Sequence, residues 1–208
     1  MSKDKAIMIA LFGPDGSGKS TVADVLEKHW KNAGINTVRM HWRPGVLPYR
    51  SKICTSDSKG GFANPCKTKL RRGLKAWLIF LYVVVDFLLG HIFIIRPKLK
   101  RGTIVIYERY YYDILMDQKR YGLSIPVSVS RAIASTLIPV PDIIFLLDAP
   151  AEVLYARKQE LPCAEIEHQR KQMKKKLCRF DNCHIVNVER NSPDQVAEII
   201  LASIDNNA

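Results

Sequence analysis

Gly13-Pro14-Asp15-Gly16-Ser17-Gly18-Lys19-Ser20 decides the reading of the chain. The stretch fits G-x-x-x-x-G-K-[ST], a pattern in which glycines let consecutive backbone N–H groups curl inward around phosphate oxygens. Just before it, residues 6–12 form a continuous apolar run that predicts a buried strand. Just after it, Val22, Val25, Leu26 and Trp30 recur at helical spacing, which predicts a helix over residues 21–31. The helix start adds the positive end of its dipole to the loop. Lys19 is then expected to reach the β- and γ-phosphates of a nucleotide, and the Ser20 hydroxyl to ligate Mg²⁺. Gly13, Asp15, Gly16, Ser17, Gly18, Lys19, Ser20 and Thr21 make up the expected nucleotide-binding set. A glycine-rich turn without a ligand explains neither Lys19 nor Ser20.

The chain has 208 residues, 47% hydrophobic and 25% charged, which suits one well-buried domain over residues 1–208. Its five cysteines, Cys54, Cys66, Cys163, Cys178 and Cys183, include no Cys-x-x-Cys pair and read as free thiols. Cys178, Cys183 and His184 have no apparent fourth partner, so a zinc site is not expected. Only residues 1–5 precede the first strand, too few for a signal or transit peptide, so a cytoplasmic location is expected. The net charge of +12 is concentrated at residues 67–75, 96–101 and 170–176. Such a field attracts polyanions. No aromatics interleave with the basic residues and no nucleic-acid module is visible, so no specific nucleic acid is expected as a partner.

Strand and helix patterns alternate, implying an α/β fold with a parallel sheet covered on both faces. Further strands are expected at residues 36–42, 103–107, 142–147 and 184–188, with an irregular loop at 43–64. Asn191-Ser192-Pro193-Asp194 reads as the capped start of a last helix. Residues 76–95 are apolar, long enough to span a membrane, and basic on both flanks. They contain Asp86 and His91, and the equal flanks give no orientation. A long buried helix of a soluble protein is the preferred reading. Peripheral contact with an acidic bilayer is the lesser alternative.

Glu108 and Arg109 fall at the end of the third strand, where ligand crevices of open parallel sheets lie. A carboxylate there can hold Mg²⁺ through water or orient an attacking hydroxyl, and an arginine can clamp phosphate. Asp148 ends the next strand, and residues 157–170 are expected to form a lid whose Arg157 and Arg170 supply cations and exclude water.

Phe12 to Thr21, the run Ile95-Arg96-Pro97-Lys98-Leu99-Lys100-Arg101-Gly102 leading to Tyr107-Glu108-Arg109-Tyr110, and Leu146-Leu147-Asp148-Ala149-Pro150 together resemble the thymidylate kinase family in order and spacing. The resemblance implies a three-layer phosphate-loop kinase fold with a five-stranded parallel sheet and a helical lid. It implies ATP and Mg²⁺, and dTMP or a similar nucleoside monophosphate as acceptor. By that resemblance Asp15 contacts the acceptor sugar, Lys19 and Ser20 serve ATP and Mg²⁺, and Arg109 meets the acceptor phosphate. Glu108 stands where the family has Asp, and Gln118 falls near the acceptor pocket. With no arginine at Gly16, the catalytic arginines come from the lid, Arg157 among them. Residues 191–193 match the segment near adenine. Such kinases are commonly dimers, which implies a homodimer.

Three departures bear on the acceptor. Asp86 is followed by Phe87 where the family has the arginine that reads thymine. Trp42-Arg43-Pro44-Gly45 replaces Arg-Glu-Pro-Gly, and Phe12 replaces a common Glu. A changed base reader changes acceptor choice. Two alternatives therefore stay open: a kinase for a sugar or nucleoside, and a non-catalytic, membrane-associated nucleotide-binding protein.

Overall fold

The computed structural model describes residues 6–48, 70–118 and 120–206. Most of the expected loop (49–64), Cys54, Cys66, Lys67, Lys69 and residues 1–5 lie outside the described residues. Five strands form one parallel sheet: β1 (Met8–Phe12), β2 (Thr37–His41), β3 (Ile104–Glu108), β4 (Ile143–Asp148) and β5 (Cys183–Asn187). Their spatial order is β2-β3-β1-β4-β5, and every pairing is parallel, as the alternating pattern implies.

The three central strands are buried at every position, which is why they read as unbroken apolar runs rather than as alternation. The edge strands β2 and β5 are only partly covered. Strand β3 runs one residue further than its apolar run predicts, through Glu108. That residue pairs in register with Leu11 on one side and His41 on the other. The register brings Phe12, His41, Glu108 and Asp148 to one carboxyl edge of the sheet.

Helix α1 (Lys19–Asn32) leaves the phosphate loop and buries Val22, Ala23, Leu26 and Trp30. The last helix, Pro193–Asn206, buries Val196, Ala197, Ile200 and Ile204 and packs against α1. Its start is a reciprocal cap. Gln195 N–H donates to Ser192 Oγ at 3.3 Å and Ser192 N–H donates to Gln195 Oε1 at 2.8 Å.

The chain divides into two compact units. One comprises Met1–Trp42, Pro97–Tyr110 and Pro141–Ala208, and contains the whole sheet. The other comprises Arg43–Arg96 and Tyr111–Val140. The second holds α2 (Leu74–Gly90) and a π turn at His91–Ile95; the helix runs on as α3 (Arg96–Lys100), whose residues from Pro97 are counted with the first unit. Pro97 stands two residues beyond the π turn. Proline has no N–H and crowds the preceding turn, so the helix widens before it. Two shorter helices, α4 (Tyr112–Met116) and α5 (Val127–Thr136), complete the second unit.

The expected buried helix at 76–95 differs in one respect. It starts at Leu74, and only one side is buried, by Ala76, Ile79, Phe80, Val83, Val84 and Phe87. The opposite side is open. A segment that is apolar all round carries no periodicity from which to tell a covered face from an open one.

Candidate active site

The loop between β1 and α1 is shaped by close backbone approaches. A Cβ on Gly13, whose φ is +152°, would sit 2.5 Å from the Leu147 carbonyl oxygen of β4. A Cβ on Gly16 would lie 2.7 Å from the Leu154 carbonyl oxygen. Leu154 belongs to α6 (Ala151–Arg157), so that helix closes directly on the loop. Helix α1 has no side-chain cap and no acidic residue in its first turn. Its N-terminal N–H groups are thus offered to an anion rather than consumed.

Lys19 is held inside the loop. Its Nζ donates to the Gly13 carbonyl at 2.8 Å, the Pro14 carbonyl at 2.7 Å and Ser17 Oγ at 3.3 Å. Ser20 Oγ donates to Glu108 Oε2 at 2.5 Å, bringing together the two residues expected at the metal. Both are hard oxygen donors at the strand edge, a set that suits Mg²⁺. Arg109 Nη2 meets Asp15 Oδ1 at 2.6 Å, uniting the loop acid with the strand-end arginine. Arg109 has φ +65°, a left-handed backbone rare outside glycine, and its N–H donates to the Leu11 carbonyl at 3.1 Å. Trp42, at the end of β2, is left-handed as well, at φ +62°. Such conformations cost roughly 1 kcal/mol or more each and gather at functional sites.

Arg39 was not anticipated. Its Nε donates to Glu108 Oε1, one Nη pairs with Asp24, and the other reaches the Ser20 carbonyl at 3.3 Å. Arg39 and His41 fall on the same face of β2, beside the strand that ends in Glu108, an adjacency set by strand register rather than by local sequence. Arg39 orients the carboxylate toward Ser20 and offsets its charge. Arg39→Gln is expected to lower turnover about tenfold, and to weaken nucleotide binding only when Mg²⁺ is present. Calorimetric titration of ADP with and without Mg²⁺ checks this. His41, at the same edge, is held below its ordinary pKa of 6.5 by loss of hydration and by Arg109, Arg39 and Lys19, against the pull of Glu108.

The expected lid residues span the end of α6, a short turn and the first half of α7 (Cys163–Leu177). Arg157 Nη2 donates to the carbonyls of Val188 at 2.8 Å and Glu189 at 3.2 Å. Arg170 forks onto Asp148, with Nε at 2.7 Å from Oδ1 and Nη2 at 3.0 Å from Oδ2. Lys174, also missed, adds a third cation-to-carboxylate contact at 2.6 Å. Burial raises the Asp148 pKa, but Arg170 and Lys174 outweigh it and hold the carboxyl below 3.8, its ordinary value. The unfolded chain therefore binds this proton more readily, and stability from Asp148 is lost as pH falls through the depressed value. Asp148→Asn should lower the melting temperature at neutral pH and flatten its decline on the acid side. Thermal melts across the acid range measure both.

The second unit holds a different constellation. Asp86 is fully buried and accepts from Gly45 N–H at 3.2 Å and Leu47 N–H at 2.6 Å. It also pairs with Arg43 at 3.5 Å. Gly90 sits against Pro44 so closely that a Cβ there would lie 2.1 Å from the ring. Phe87 is 1% exposed and meets Tyr111 edge to face at 5.7 Å, so it is a core residue of this unit. Gln118 Oε1 accepts from Ile125 N–H at 2.9 Å.

The profile of the family described as "Thymidylate kinase" matches residues 12–200. A Thermococcus kodakarensis protein named "Probable thymidylate kinase" is 29% identical over 70% of this chain and 68% of its own length. The "Thymidylate kinase" of Xanthomonas campestris is 30% identical over 73% of this chain, and that of Xylella fastidiosa 28% over 71%. Each of the latter two is matched over 60% of its own length, so the chain spans about three fifths of these relatives. The profile takes in the phosphate loop, the Glu108-Arg109 strand end and the Asp148 strand end in one unbroken match, and the chain belongs to the thymidylate kinase family.

Proposed function

We propose that this protein transfers the γ-phosphoryl group of ATP to a nucleoside monophosphate, with dTMP as the acceptor. The observation that carries the reading is the Arg109–Asp15 contact, which joins the phosphate loop to the end of β3. It puts an arginine fork for phosphate beside the loop that cradles the donor.

ATP binds with its phosphates on the loop N–H groups and the start of α1. Lys19 exchanges its loop carbonyl partners for the β- and γ-phosphate oxygens. Ser20 and Glu108 would hold Mg²⁺, which would supply charge neutralisation at the phosphates, while Arg39 keeps Glu108 turned toward Ser20. Asp15 meets the acceptor sugar and Arg109 its phosphate, so the attacking oxygen faces the γ-phosphorus in line. Residues 157–170 act as the lid, and the reaction takes place in the cytoplasm.

A second reading, another acceptor class, is favoured by Phe87. A core phenyl ring offers a base no hydrogen bond, so the discrimination made by a reader arginine is not supplied at that position. A coupled ADP-release assay across nucleoside monophosphates, nucleosides and sugars decides between the two. Preference for dTMP supports the proposal. A higher kcat/KM for a sugar or nucleoside moves the assignment to the second reading, and ATP binding without turnover of any acceptor overturns both.

A further inference from the structure

We propose that Cys178 and Cys183 form a reversible dithiol–disulfide site that is oxidised by a hydroperoxide. Cys178 is the residue that follows α7, and Cys183 is the first residue of β5. Two tight turns join them. Phe180 N–H donates to the Leu177 carbonyl and Cys183 N–H to the Phe180 carbonyl, each at 3.0 Å. The chain therefore doubles back between helix and strand, and the two thiols stand side by side in a hydrogen bond with one another. Cys178 N–H donates to the Lys174 carbonyl at 3.1 Å, which fixes its backbone as the last link of the helix. Both cysteines are free thiols in this structure. Joining them asks for side-chain rotation within a contact already made.

The two thiols are not equivalent. Cys178 is exposed and Cys183 is half-buried. Loss of hydration, and then the charge and hydrogen bond of Cys178, push the Cys183 thiol up to about 12. Cys183 thus keeps its proton and donates it to its neighbour. Cys178 is left as the sulfur that carries negative charge and meets solvent. Lys175 and Arg179, both exposed, lie close to it in sequence. They supply positive charge where the carbonyls at the end of α7 alone would disfavour a thiolate.

The Cys178 thiolate attacks the terminal oxygen of the hydroperoxide. The O–O bond breaks, Cys178 becomes a sulfenic acid, and the other oxygen takes up a proton and leaves as alcohol or water. Cys183 then attacks the Cys178 sulfur, and its proton goes with the hydroxyl that departs as water. The two sulfurs together lose two electrons, which the hydroperoxide gains. A small thiol restores both cysteines by exchange. The bond fastens the end of α7 to the sheet. The first half of that helix belongs to the expected lid, and its Arg170 and Lys174 grip Asp148.

His184 makes no metal site with the pair. Alternation along β5 turns it away from Cys183, and its ring packs on Phe145 at 5.7 Å. Among the described residues no group of three His, Cys, Asp or Glu side chains is placed to hold a metal ion.

The test is peptide mapping of the full chain after brief treatment with hydrogen peroxide and blocking of the remaining thiols. Trypsin cuts after Lys176, Arg179 and Arg190, so the disulfide joins Leu177–Arg179 to Phe180–Arg190 as one cross-linked species. That species is expected from the monomer and is expected to vanish on treatment with dithiothreitol. Oxidation should also raise the melting temperature by about 5 °C, since the closed loop is short. Cys178→Ser and Cys183→Ser should each abolish both signals, while Cys163→Ser should keep them. Cys178 is exposed, so its serine variant folds and keeps the test open. A stable sulfenic or sulfinic acid on Cys178 beside an unmodified Cys183 overturns the proposal. So does a link from either residue to Cys54, Cys66, Cys163 or a second chain. No nucleotide enters the experiment, so its failure leaves the kinase reading untouched.

Discussion

Lys19→Ala is expected to lower turnover about a thousandfold, the upper range for loss of one preorganised charge contact. The reason is geometric. Lys19 is 8% exposed and its ammonium lies within the curl of the loop, on the carbonyls of Gly13 and Pro14. An anion bound to the loop N–H groups draws it out toward the phosphates over a short path. Alanine removes that cation where charge accumulates in transfer, and no neighbouring lysine stands in the loop to replace it. Folding should suffer little, by about 1 kcal/mol, because what is lost is a cap on two carbonyls. Turnover at saturating ATP, measured beside a urea melt, separates the two effects. Near-normal turnover in this variant would falsify the placement of the donor phosphates.

Asp86→Ala is expected to be the most damaging single substitution for stability, at about 3–5 kcal/mol. It leaves the buried Arg43 guanidinium without this counter-charge and strips two backbone N–H groups of their acceptor. Asp86→Asn should cost less, since its amide oxygen can still accept one of those bonds. By the family resemblance, Arg43 stands beside the position that holds the acceptor phosphate. Any Asp86→Asn protein that folds should therefore show a raised acceptor KM with the ATP KM nearly unchanged. Equal rises in both would remove Arg43 from acceptor binding. Urea denaturation gives the first quantity and two-substrate kinetics the second.

Much of the site was legible because it is local. Residues 13–20 are contiguous in the chain, so the pattern of glycines, lysine and serine is read from spacing alone. The strand ends at Glu108, Arg109 and Asp148 were legible too, because a buried parallel strand is an unbroken apolar run and its first polar residue marks the crevice. Arg39 was not, because its meaning comes from the register of β2 against β3, across 69 residues of sequence. Phe87 is a further case. The sequence pairs it with a specificity position, while the fold packs it against Tyr111.

The sequence by itself determined the α/β class, the parallel sheet and the phosphate loop, since these follow from short-range periodicity and from what a backbone with glycine can do. Only the tertiary structure decided which charges meet. Arg39 with Glu108, Arg170 and Lys174 with Asp148, and Asp86 with the Gly45–Leu47 backbone are contacts between segments far apart in the chain. It also decided that the apolar 74–95 stretch has an open side. Apolar residues on every face leave the choice of buried side to the packing of neighbouring elements, which no local pattern encodes.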